Sequence, residues 1–205
     1  MNRDRKGGLA AVVPAAGFSL RMGSEKILLP FGRSTVLETI LETLAAAGVA
    51  EVVAVLRPDL SEAANRARGL GARVVFNPHP EEEMLESIRL GLLAITSDAG
   101  GVFIWPADHP AVSAGTIETL ARFAHPAGAL IPSYQSRRGH PALVGRRLFA
   151  SIGEIPPREG LRHLWRMVPD AVVEVSVNDE GVVENVDTPE DYRKALQRSR
   201  PGSES

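Results

Sequence analysis

The chain has 205 residues, 44% of them hydrophobic and 23% charged, with no cysteine and a formal net charge of −2. That length suits one domain able to bury roughly 70% of the surface its unfolded chain exposes. The missing cysteine excludes disulfides, thiolate metal ligands and cysteine nucleophiles and suits a reducing cytoplasm. The balanced charge gives no electrostatic case for nucleic acid, and no apolar stretch reaches the length of a bilayer span.

The N-terminus has the outline of a signal peptide, but its apolar run breaks at Pro14 and leads into Arg21 and Lys26. Residues 1–8 therefore read as a disordered tail, 9–197 as one domain, and the polar end 198–205 as a second tail. Leu9–Pro14 is uncharged, small and β-branched, the signature of a buried strand. It ends in Pro-Ala-Ala-Gly, followed by Gly17, Ser19, Gly23 and Ser24 with Arg21 and Lys26 among them. Small residues let a ligand approach the main chain, and backbone N–H groups with fixed cations make a polyphosphate cradle. It is neither a Walker A loop nor a G-x-G-x-x-G turn.

The spacing of apolar residues at 36, 37, 40, 41 and 44 predicts a helix over 35–47, capped by Ser34 or Thr35 and stopped by Gly48. Glu51–Leu56 reads as a strand, 59–70 as an Ala-rich helix and Ala72–Phe76 as a third strand. This alternation argues for an α/β fold with mainly parallel strands and with sites at their carboxyl ends. Asn77-Pro-His-Pro makes a rigid loop into a helix over 84–96, whose buried face is read as Met84, Leu85, Ile88, Leu92 and Ile95. Ser87 and Arg89 on it face either a ligand or solvent.

Gly101–Trp105 is the next strand and ends in Pro106-Ala-Asp-His-Pro110. A carboxylate set between prolines at a strand end is a hard oxygen ligand suited to Mg²⁺, although an Asx-turn would also use Asp108. His109 reads as a packing residue or a support behind Asp108 rather than a zinc ligand, because no other His or Cys stands at metal-site spacing. A helix over 114–124 and a strand over 128–132 lead to Arg137, Arg138 and His140, either an anion-binding group or a hairpin tip in water. A turn at 156–160, a helix over 161–167, an alternating strand over 171–177 and a further short strand over 182–186 complete the order. Asp187-Thr188-Pro189 then starts a helix, so Asp187 is either a cap or a metal ligand.

Several of these segments resemble one family. Ala15-Ala16-Gly17-x-Ser19-x-Arg21-Met22-Gly23-x-x-Lys26 is similar to the signature loop of the MobA-like nucleotidyltransferases, most like the molybdenum cofactor cytidylyltransferase (MocA) type. Met84-x-x-Ser87-x-Arg89-x-Gly91, Asp108 before a proline, Arg138-Gly139-His140-Pro141-x-Leu143 and Asp187-Thr188-Pro189 follow in the family's order. Glu83 stands where the family has Gly, Arg158 where it often has Asp, and Asn185 in place of an Asp.

The resemblance implies a three-layer α/β/α, Rossmann-like fold of the nucleotide-diphospho-sugar transferase type. It also implies transfer of a nucleotide from an NTP, CTP by preference, to a phosphate-bearing acceptor, molybdopterin by preference, with molybdoenzyme maturation proteins as possible partners. On that reading the loop with Ser87 binds the nucleotide, and Arg21 and Lys26 stabilise the departing pyrophosphate. Asp108 and Asp187 hold Mg²⁺, with Asp108 also catalytic, while Arg138 and His140 face the acceptor. Guanylyl transfer, sugar-1-phosphate or isoprenoid-pathway cytidylyl transfer, and a non-catalytic NTP-binding subunit stand as alternatives.

Overall fold

A computed structural model of the chain describes residues 8–18, 22–156 and 158–198. Ser19 and Arg21, and residues 1–7 and 199–205 of the expected tails 1–8 and 198–205, lie outside the described residues, while Arg198 ends the last helix.

Strand β1 (Leu9–Pro14) is buried from Ala10 onward, as its composition predicts. A small hairpin, β2 (Pro30–Phe31) with β3 (Ser34–Thr35), leads to helix α1 (Val36–Ala46). Thr35 and Glu38 close a reciprocal capping box, each side chain accepting from the other's backbone N–H, so Thr35 rather than Ser34 is the cap. Then follow β4 (Glu51–Leu56), α2 (Ser61–Gly69), β5 (Arg73–Phe76), α3 (Met84–Ala94), β6 (Gly101–Ile104) and α4 (Ala114–Arg122). Helix α2 starts at Ser61 rather than at 59 because Pro58 and Asp59 form a turn, closed by the Leu60 N–H on the Arg57 carbonyl. The rest is β7 (Ala129–Tyr134), β8 (Arg137–Arg138), β9 (Ala142–Gly145), α5 (Phe149–Glu154), α6 (Arg162–Met167), β10 (Val172–Ser176) and α7 (Pro189–Arg198).

The sheet runs β10-β7-β9-β6-β1-β4-β5, with β8 paired to β7. Strands β6, β1, β4 and β5 are parallel, as is the β7–β10 pair, while β9 lies antiparallel between β6 and β7. Alternate residues of β1 feed two separate cores. Ala11 and Val13 pack with α1, α2 and α4, whereas Ala10 and Val12 pack with α3, α5 and α6. Helices thus cover both faces, and the fold is three-layer α/β/α.

Gly91 sets how closely α3 approaches the sheet. A Cβ there would stand 2.3 Å from Val12 Cγ1, so only a residue without a side chain fits between helix and strand.

The run 182–186 departs from the sequence expectation. It is not a strand: Glu180–Val183 form a 3₁₀ turn. Asp179 fixes that turn by accepting from the Gly181 N–H with Oδ1 and from Ser113 and Thr116 with Oδ2. Gly181 in turn packs on the Ala111 carbonyl, where an added Cβ would lie 2.4 Å away. The apolar valines that suggested a strand are instead plugs: Val182 and Val186 are both buried.

Candidate active site

Strand β1 pairs with β4 on one side and β6 on the other, so the loops after β1 and β6 diverge at the carboxyl end of the sheet. A crevice at such a switch point is where open α/β sheets bind ligands. Its base is stitched by main-chain bonds: Ala15 N–H to Val55 O at 2.8 Å, Trp105 N–H to Val12 O at 3.0 Å and Ala107 N–H to Pro14 O at 3.3 Å.

The cleft there is lined by Ala15, Ala16, Gly17, Lys26, Ser87, Asp108 and Asp187, drawn from four distant parts of the chain. The described members of the expected nucleotide and metal set thus meet in one place, apart from Gly23, which takes a left-handed turn (φ 65°) in the same loop. Lys26 opens a 3₁₀ turn, Lys26–Leu28, and its Nζ lies 3.3 Å from Asp187 Oδ1. Asn185 Nδ2 donates to Asp187 Oδ2 at 2.8 Å. The cap of α7 is made by Thr188, which exchanges hydrogen bonds with Asp191, so the Asp187 carboxylate is turned to the cleft instead.

Asp108 Oδ1 is buried without a hydrogen-bond partner among the described residues. A buried carboxylate oxygen left unpaired is costly unless a cation faces it, and the chemistry of the pair Asp108 and Asp187 fits one hard divalent ion. Behind it stand two histidines with ring centroids 4.8 Å apart. Burial pushes His109 below its usual range and pushes His140 down to about 4, so both rings are neutral near pH 7. Trp105 steadies the turn by donating Nε1–H to the His109 carbonyl. His109 is buried against His140, with its Nε2 3.6 Å from Asp108 Oδ1.

The acceptor residues divide. His140 lines the inner end of a second hollow but brings no positive charge to it. Arg138 is on a hairpin whose turn residues Gln135 and Ser136 have φ of 48° and 64°, and its guanidinium is paired with Glu174 at 2.6 Å. Arg138 is thus an exposed hairpin residue that also borders the second hollow. Arg89 is structural: its guanidinium donates to the Ile152, Gly153 and Ile155 carbonyls at the end of α5. Met84, expected in the buried face of α3, is 48% exposed because the first turn of that helix overhangs both hollows.

Two contributors were not foreseen. Asn77, 1% exposed, donates Nδ2–H to Ser87 Oγ at 3.1 Å and accepts the His79 N–H at 2.8 Å, fixing the hydroxyl at the cleft wall. Arg57, at the end of β4, donates to the Gly17 carbonyl, pairs with Glu25 and Asp59, and lies over the Phe18 ring. It braces the loop after β1 near both of its ends, at Gly17 and Glu25. An Asn leaving a strand into a Pro-His-Pro loop was the only sequence signal for the first, and nothing local marked the second.

This architecture is that of the nucleotide-diphospho-sugar transferase fold, shared with solved nucleotidyltransferase structures. Within it, a profile of the MobA-like NTP transferase domain matches residues 11–174, and the chain belongs to that family. It is similar to the molybdenum cofactor cytidylyltransferase of Escherichia coli K12, 25% identical over 188 residues covering 91% of this chain and 95% of that one. It is also similar to nicotine blue oxidoreductase of Paenarthrobacter nicotinovorans, 28% identical over 197 residues covering 92% and 96%. The crystal structure of Rv0371c from Mycobacterium tuberculosis H37Rv in complex with manganese superposes with a TM-score of 0.70 at 25% identity, over 93% of this chain and 98% of that one. Among the described residues no helix is long and apolar enough to cross a membrane.

Proposed function

We propose that this protein transfers a nucleoside monophosphate from an NTP to an anionic acceptor oxygen, with CTP and molybdopterin as the preferred pair, and releases pyrophosphate. The observation that carries the reading is the convergence of Lys26, Asp108 and Asp187 on one cleft beside a loop of small residues. Such a transfer needs no general base when the attacking oxygen is already ionised; it needs alignment and neutralisation of charge. Small residues 15–17 leave room for the triphosphate along the main chain. Lys26 places a fixed positive charge where the leaving pyrophosphate gathers charge, and the family resemblance adds Arg21. Asp108 and Asp187 would hold Mg²⁺, which when bound screens the phosphate oxygens from the incoming anion. Asn77 keeps the Ser87 hydroxyl turned to the nucleotide.

The cytidylyltransferase relative and the manganese-bound structure support this reading. The oxidoreductase relative shows that membership of the family alone does not name the reaction. The test is pyrophosphate release with CTP, GTP, ATP and UTP against molybdopterin, a sugar 1-phosphate and methylerythritol phosphate, each with and without Mg²⁺. Turnover of CTP with molybdopterin, dependent on Mg²⁺, is the expected result. Tight NTP binding with no turnover on any acceptor would instead favour a non-catalytic subunit.

A further inference from the structure

The main sheet has two edges, and they are finished differently. At β5 the Arg68 guanidinium lies over the Phe76 ring, 5.8 Å from its centroid, and Arg73 flanks the strand with an exposed charge. Cover of this kind keeps a strand edge from pairing with another chain. At β10 no strand follows on the outer side, and Val173 is 52% exposed. Val173, Val175 and Leu130 line a hollow of about 860 Å³ together with Phe123, itself exposed at the end of α4.

One bond fixes which way the main chain of β10 turns. The Val177 N–H donates to the Ser133 carbonyl at 2.9 Å, and successive residues of a strand turn their bonding groups to opposite sides. Val173 and Val175 therefore bond inward to β7, while Val172, Glu174 and Ser176 turn N–H and C=O outward. Those three positions are symmetric about Glu174. A second β10 laid antiparallel, with its dyad at Glu174, sets Glu174 against Glu174 and Val172 against Ser176, and each such pair exchanges both main-chain bonds. Val173 then faces Val175 of the second copy on the α4 side, at the closer, non-hydrogen-bonded spacing.

Two bare glutamates facing each other would oppose this pairing. Here each is already neutralised: Arg138 Nε and Nη2 both reach Glu174 Oε1, at 2.7 and 2.6 Å. Among the described residues that leaves Arg138 Nη1 and Glu174 Oε2 to bond across the dyad, so opposite charges alternate over the contact.

We infer that β10 is the interface of a homodimer, in which two copies join edge to edge into one continuous sheet. The occupant is a second copy because the edge complements itself in hydrogen bonds, in charge and in the apolar strip of Val173, Val175 and Phe123. A twofold contact of this type presents the same patch from both subunits.

Sedimentation equilibrium of the full chain from about 1 to about 100 µM tests this, with the mass expected to rise from 22.0 kDa toward twice that value. Hydrogen exchange reads the edge itself and needs no variant. The Glu174 and Ser176 amides should slow about tenfold or more at the higher concentration, while Val173 and Val175, bonded to β7, change little. Ser176→Pro removes an outward donor without touching the β7 ladder, and Val173→Lys puts a charge on the apolar strip. A twofold contact feels each change twice, so each variant should weaken the dimer about tenfold or more, thermal melting confirming a folded chain. A mass that stays at 22.0 kDa, a dimer whose Glu174 and Ser176 amides exchange as fast as in the monomer, or a dimer equally tight in both variants overturns the inference.

Discussion

The main-chain N–H of Val186 donates to the carbonyl oxygen of Asp108 at 2.7 Å. This one bond ties the turn after β6 to the segment before α7, and it brings Asp187, the next residue, to the same cleft as Asp108. Buried Val186 and the Asp179 contacts hold that segment from both sides. The main chains that carry the two carboxylates are thus held together by backbone and core, while Lys26 and Asn185 orient the Asp187 side chain.

If the pair holds the divalent ion, Asp108→Asn and Asp187→Asn should each raise the Mg²⁺ concentration for half-maximal pyrophosphate release on the order of tenfold or more. The double variant should lose the metal dependence with the activity. A Mg²⁺ titration of turnover reads this directly, and an unchanged half-point in either single variant removes that residue from the metal site.

Lys26→Ala should lower kcat on the order of 10²-fold or more, the usual loss when a preorganised electrostatic donor is removed. Lys26→Arg, which keeps the charge, should recover much of it. Steady-state pyrophosphate release at saturating NTP is the measurement. Wild-type turnover in the Ala variant would exclude Lys26 from the chemistry.

Arg57 is buried, and removing it strands the Gly17 carbonyl and leaves Glu25 and Asp59 without their cation. Arg57→Gln should cost about 2 kcal/mol in a urea melt and raise the KM for NTP more than it lowers kcat, since the loop is loosened rather than the charge lost. Arg57→Lys should restore part of the KM. A variant that melts early yet binds NTP normally would limit Arg57 to stability.

The Glu51 carboxyl offers a test of stability against pH. Partial burial opposes its ionisation, but the Thr96 N–H at 3.0 Å, the Ser97 N–H at 2.9 Å and the Thr96 hydroxyl hold it down to about 2. Because the folded value lies below the unfolded one, near 4.5, its contribution is complete above about pH 4.5 and is lost as the pH falls toward 2. The gap in urea midpoint between wild type and Glu51→Gln should therefore be widest at neutral pH and close across that window. A gap that does not change with pH would show that Glu51 acts through shape rather than charge.

Much of this was legible in the chain. The strand–helix alternation, the small-residue loop with Lys26, and the proline-fixed Asp108 depend on local patterns, which periodicity and turn chemistry expose. What escaped depends on contacts between remote residues. Arg57 meets Gly17 across 40 positions and Asp179 meets Thr116 across 63, and neither has a local signature. The antiparallel insertion of β9 between β6 and β7 is a matter of chain routing, and the apolar pattern of β9 does not encode its direction. The valines at 182, 183 and 186 show the opposite failure: a pattern suited to a strand serves to plug the core. The cap before Pro189, which the local pattern left open between Asp187 and Thr188, is made by Thr188.

The contact between Gly91 and Val12 has an effect two turns away along α3. Ser87 and Met84 ride on the same rigid rod, so the wall of the candidate cleft stands only as far from its floor as that bare backbone permits. One absent methyl group, buried between helix and strand, fixes the gauge of the cleft.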